Sequence, residues 1–106
     1  MRYAYHDLGD QPAVSTAVIH WRGSAADVLL LDPVNFCKYR EGKSAVLYSG
    51  GGRYGRSPAR LSIPEDEHWY IVADFGGTST KATVEILKPH GGEPRATEEE
   101  PLLEVG

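Results

Sequence analysis

The chain has 106 residues, of which 41% are apolar and 25% charged, and a formal net charge of −4. That composition suits one soluble domain with one core. It excludes a helical membrane span, because no apolar run approaches the roughly 18 residues required. The single cysteine, Cys37, excludes an internal disulfide and a cysteine-based zinc site. The N-terminal stretch MRYAYHDLGDQPAV has no apolar segment of the kind a signal peptide needs, so a reducing cytoplasm is the expected location.

Along the chain, Arg2–Leu8 alternates around Tyr3 and Tyr5 and reads as a first strand, closed by a turn at Gly9-Asp10-Gln11-Pro12. Val14–Trp21 is rich in β-branched residues and reads as a second strand, with Trp21 partly exposed at its end. Ala26–Asp32 has a solid apolar middle and reads as a third. Asp32-Pro33 then has the chemistry of a helix start, since Asp accepts from orphan N–H groups and Pro suits the first helical position. Phe36, Tyr39 and Arg40 follow at helical spacing, and Gly42 is a natural stop. A segment this short is marginal alone, and it is expected to cap one end of the sheets with Phe36 as its anchor.

Ser44–Tyr48 reads as a fourth strand, Ser49–Ser57 as a glycine-rich hairpin loop with Tyr54 at its tip, and Arg60–Ile63 as a fifth strand. The most informative stretch is Ile63–Gly77, IPEDEHWYIVADFGG. Alternation puts His68, Tyr70, Val72 and Asp74 on one face and Trp69, Ile71, Ala73 and Phe75 on the other. Both faces are apolar in the middle, the mark of a strand covered on both sides. Gly76-Gly77 supplies a tight reversal. Thr80–Leu87 is a last alternating strand. Residues 89–106 combine Gly, Pro and Glu with few anchors and read as an acidic, flexible tail beyond a domain spanning 1–88. Together these elements predict an all-β, antiparallel β-sandwich, jelly-roll-like, of about seven to eight strands, with one short helical insert at 33–41.

The motifs that resemble chemistry lack their structural context. Gly50–Gly55 matches G-x-G-x-x-G by letter, but Ser57-Pro58 follows where a dinucleotide site needs a helix. Gly42-Lys43-Ser44 looks like the end of a phosphate loop, but Cys37 stands where its first glycine belongs. His6, His20, His68 and His90 show no metal-ligand spacing, although a fold could gather the first three. His68 and Asp74 share a strand face but lie six residues apart, roughly 20 Å, which rules out a hydrogen bond between them. Cys37 reads as a small half-buried residue rather than a reactive thiolate. Trp69 reads as core. No catalytic, metal or cofactor residue is assigned.

Charge is uneven. Residues 38–60 carry Lys38, Arg40, Lys43, Arg53, Arg56 and Arg60 against Glu41 alone. A basic stretch with exposed aromatic residues is the usual make-up of a contact surface. The expected function is therefore a non-enzymatic binding or accessory module. Its contact surface spans residues 36–60 and is carried by Tyr39, Arg40, Arg53, Tyr54, Arg56 and Arg60, with a protein, a glycan or another anionic ligand as partner. Alternatives are a small enzyme or metal-binding protein built on gathered histidines, and a nucleic-acid or anionic-glycan binder. The acidic tail counts against nucleic acid.

In sequence, the chain resembles the small bacterial domain of unknown function family 1883. The resemblance rests on Tyr5-His6-Asp7-Leu8-Gly9, Asp27–Asp32 and Asn35-Phe36 with Tyr39 and Gly42. It continues through the Gly-Gly loop with Ser57-Pro58 and Leu61, and is most specific at His68–Gly77. It implies a compact β-sandwich accessory domain, sometimes fused to signalling domains, and supplies no activity and no catalytic residues to carry over.

Overall fold

The computed structural model describes residues 3–23, 25–43, 51–76, 80–88, 95–96 and 99–105. These form ten strands and one helix. The strands are β1 (Tyr3–Gln11), β2 (Thr16–Trp21), β3 (Ala26–Leu31), β4 (Gly52–Tyr54), β5 (Ala59–Ser62), β6 (Glu67–Asp74), β7 (Ala82–Lys88), β8 (Arg95–Ala96), β9 (Glu100–Pro101) and β10 (Leu103–Val105). Helix α1 (Pro33–Arg40) lies between β3 and β4. One antiparallel sheet runs β10-β1-β6-β3-β4, and the other runs β5-β2-β7-β8 with β9 also on β7. This is the antiparallel sandwich with one short helix that the sequence predicts. The expected strand at Ser44–Tyr48 lies outside the described residues.

The core fills the space between the sheets. Ala17, Ile19 and Trp21 of β2 and Ala82, Val84 and Ile86 of β7 face Val28 and Leu30 of β3 and Trp69, Ile71 and Ala73 of β6. Trp69 is fully buried, and its indole N–H donates to the Glu65 carbonyl at 3.0 Å. That bond satisfies the one polar group a buried tryptophan carries. Trp21, expected at a partly wet strand end, is also buried. It meets Phe75 with ring centroids 6.3 Å apart, closing one end of the core.

β6 is covered on both sides, as its two apolar faces require. Its outer face, with those of β1 and β3, forms a second cluster of Tyr3, Leu31, Phe36 and Val72, flanked by Tyr5, Leu29, Tyr39, Tyr70 and Val105. Helix α1 lies over this face rather than capping an end of the sheets. The sequence places the helix correctly but its cover wrongly, because alternating strands leave Tyr3, Leu31 and Val72 in need of a lid that only a folded sheet defines. Asp32 caps the helix, its Oδ1 accepting from the Asn35 backbone N–H at 2.8 Å and from Asn35 Nδ2 at 3.0 Å, and Pro33 opens it. Gly42, at φ +76°, ends it.

Three further expectations change. The turn expected at Gly9–Pro12 is a bulge within a continuing strand. The register shifts between Asp7 and Gly9, Gly9 takes φ +70°, and its N–H donates to Asp7 Oδ1 at 2.8 Å. Cys37 is exposed, not half-buried. Residues 99–105, expected in a tail outside the sandwich, pair with both sheets, with Leu102 buried in the core between them.

Candidate binding surface

The six residues singled out in the sequence occupy two neighbouring parts of the molecule. Tyr39 and Arg40 end helix α1 above the outer face of the first sheet. The Tyr39 ring meets Tyr3 edge-on at 5.1 Å, and the Arg40 guanidinium lies 5.7 Å from the centroid of Phe36. Burial, reinforced by the charges of Asp74, Tyr3 and Asp27, pushes the Tyr39 phenol up to about 12. Asp27 and Asp74 face each other across β3 and β6, an unfavourable like-charged pair. Arg53 on β4 relieves it from the side, its Nη1 3.6 Å from Asp27 Oδ1.

The remaining residues follow the chain as it crosses from β4, at the edge of one sheet, to β5, at the edge of the other. Arg56 stands exposed in this crossover and Arg60 stands exposed on β5. Among the described residues neither has an ion-pair partner. Tyr54 departs from expectation. It sits on β4 opposite Ala26, half-buried against the inter-sheet core, and is not a loop tip. Ser57, next to Arg56, fastens the crossover to the second sheet, its Oγ accepting from the Trp21 backbone N–H at 3.0 Å.

Sequence reasoning missed the groove beside this crossover. It has a volume of about 740 Å³, and its lining includes two cations, Arg22 and Lys81, together with His20, Ser57, Thr83 and Glu99. These residues come from four distant parts of the chain, so only the pairing of β2 with β7 and the β4–β5 crossover bring them together.

The three described histidines do not converge. His20, on the outer face of the second sheet, pairs with Glu85 at 3.1 Å. His68, on the outer face of the first, pairs with Asp7 at 2.6 Å and lies 3.5 Å from Asp10. Its acidic partners come from β1 and not from Asp74, and the bulge that carries Asp7 and Asp10 to it is signalled in the sequence only by Gly9, which reads equally as a turn. His68 also packs beside Tyr70 at 5.1 Å, whose phenol is raised by burial and then by the charge of Asp7. His90 lies outside the described residues. Among the described residues no three His, Cys, Asp or Glu side chains could hold a metal ion together, and no helix is long and apolar enough to cross a membrane.

No curated protein and no solved structure matches the chain. A family model, Domain of unknown function (DUF1883), matches residues 1–90. That span holds β1 to β7, helix α1 and the β4–β5 crossover, so the chain belongs to the DUF1883 family.

Proposed function

We propose that the domain is a binding module without catalytic activity, and that it takes an anionic partner on the side where the chain crosses from β4 to β5. One observation carries this reading. Arg56 and Arg60 stand exposed and without an acidic partner among the described residues, beside a groove whose lining adds Arg22 and Lys81. Unneutralised guanidinium groups at a concave rim favour carboxylate, sulfate or phosphate, which Arg engages through paired hydrogen bonds. Arg53 extends the row to the edge of the first sheet.

Heparin, a sulfated polyanion, is a direct probe. The triple variant Arg53→Glu, Arg56→Glu, Arg60→Glu takes the net charge from −4 to −10, each reversal contributing −2. Its control, Lys38→Glu, Lys43→Glu, Lys88→Glu, has the same charge with the crossover intact. Wild type and control are expected to bind heparin-agarose at low salt and the arginine variant to flow through while still unfolding in one cooperative transition, its stability lowered by about 1 kcal/mol where Arg53→Glu sets a third acid beside Asp27 and Asp74. Co-elution of the arginine variant with wild type, or equal loss of binding in the control, overturns the assignment.

A further inference from the structure

We propose that the seam between β1 and β7 is a peptide-binding groove for an extended acidic segment with a leucine anchor, and that residues 99–105 occupy it in cis. This goes beyond the arginine reading and uses none of the crossover arginines.

Without residues 95–105, β1 and β7 are the outermost described strands of their sheets on one side of the sandwich. Bare strand edges bind other strands. Here the last strands fill both. Glu100 and Pro101 pair with Val84 and Thr83 of β7, and Leu103, Glu104 and Val105 pair with Tyr5, Ala4 and Tyr3 of β1. Leu102 sits where the segment steps from one sheet to the other. Its N–H donates to the Ala82 carbonyl at 3.0 Å, and its side chain, 8% exposed, enters the core cluster with Ala4, Ala82 and Val84. Its neighbours remain in water, Leu103 being 59% exposed. A single buried anchor between two short backbone pairings is how sheet edges recognise extended peptides.

The seam also selects charge. Thr83 Oγ1 donates to Glu99 Oε1 at 2.8 Å. Lys81 lines the groove that holds Glu99 and also the adjoining one that holds Leu102 and Glu104. A cation thus stands between the two acidic flanks of the anchor. The occupying segment lies beyond residues 1–90, which the family model matches. The groove's walls, β1 and β7, lie inside that match, and its occupant lies outside it.

The test uses the full chain. Leu102→Asp removes the anchor and should open the groove. A fluorescein-labelled peptide with the sequence of residues 99–105, EEPLLEV, is then titrated against each protein by anisotropy. The variant is expected to bind at least about tenfold more tightly than wild type, whose tethered segment competes at a local concentration in the millimolar range. A peptide with Asp at the first leucine should not bind. The triple arginine variant carrying Leu102→Asp should bind as the single variant does, which separates this result from the heparin reading. A folded variant that ignores the peptide, or a wild type that binds it equally well, overturns the proposal. So does a wild-type dimer that Leu102→Asp dissolves, since the occupant would then be a second copy. Native-state hydrogen exchange on wild type covers the case of a variant that fails to fold. The Leu102 amide should exchange at least about tenfold faster than those of β6, by local opening, and exchange only with global unfolding overturns the proposal.

Discussion

Replacing Phe36 with alanine tests whether one ring holds the helix onto the sheet. Phe36 is 6% exposed. It stacks on Tyr70 at 4.1 Å and 7°, tilts against Tyr5 at 5.2 Å, and carries Arg40 at 5.7 Å from its centroid. Buried Phe→Ala substitutions cost about 3–5 kcal/mol. The lower end applies, because the cluster lies under one eight-residue helix that can settle into the space left. The expected loss is about 3 kcal/mol, a large part of the roughly 5–15 kcal/mol that stabilises a domain of this size. Phe36→Leu keeps most of the apolar area and loses the ring geometry, so it should cost about 1 kcal/mol. Urea unfolding followed by fluorescence gives both values, since Trp21 and Trp69 lie in the other cluster, between the sheets, and report the sandwich itself. The melting temperature of Phe36→Ala should fall by roughly 10–20 °C. A loss under about 1 kcal/mol, or a Phe36→Leu variant as weak as Phe36→Ala, would show that the helix is held by something other than this ring.

Tyr39 should make stability fall at alkaline pH. Its phenol is raised from 10.0 in the unfolded chain to about 12 in the fold, so the fold holds the proton more tightly. The stabilisation is complete below pH 10 and is lost as the pH rises from 10 towards 12. At about 1.4 kcal/mol per unit the ceiling is near 3 kcal/mol, and solvent screening of a half-buried ring lowers it to about 1 kcal/mol. Tyr39→Phe should lack this component, and identical alkaline unfolding of the two proteins would refute the cause. Asp32→Ala removes the helix cap and both bonds to Asn35, at about 1–2 kcal/mol, measured as a lower urea midpoint with an unchanged slope; Asp32→Asn, which keeps an acceptor, should recover part of that loss.

How much could be read in the sequence follows from the range of the forces involved. The two faces of β6 are local facts of a period-two chain, and the structure reproduces them residue for residue from His68 to Phe75. The helix start at Asp32-Pro33 is local too, being chemistry between neighbours. What the helix covers is not local, because Tyr3, Leu31 and Val72 become one apolar face only after three strands pair. The same holds for His68, whose partners Asp7 and Asp10 reach it through the register of β1 on β6 and the bulge at Gly9. Trp21 reads as partly exposed because it ends its strand, yet Phe75, just past the end of β6, covers it. The last residues misled for another reason. Glu, Pro and Gly dominate their composition, and a single leucine sets their place. The arginines were legible as charge, while their arrangement along a crossover between two sheets was not.

The pairing of Tyr3 with Val105 has a consequence for how the domain can be carried by other proteins. Antiparallel neighbours of this kind lie about 5 Å apart, so the first and last described residues of the strands, Tyr3 and Val105, sit side by side. A loop in a host protein needs almost no extra span to accept such a unit, and a few glycines would join its ends into a circle or a permuted chain. Architecturally, the module can sit within another polypeptide as readily as beside one.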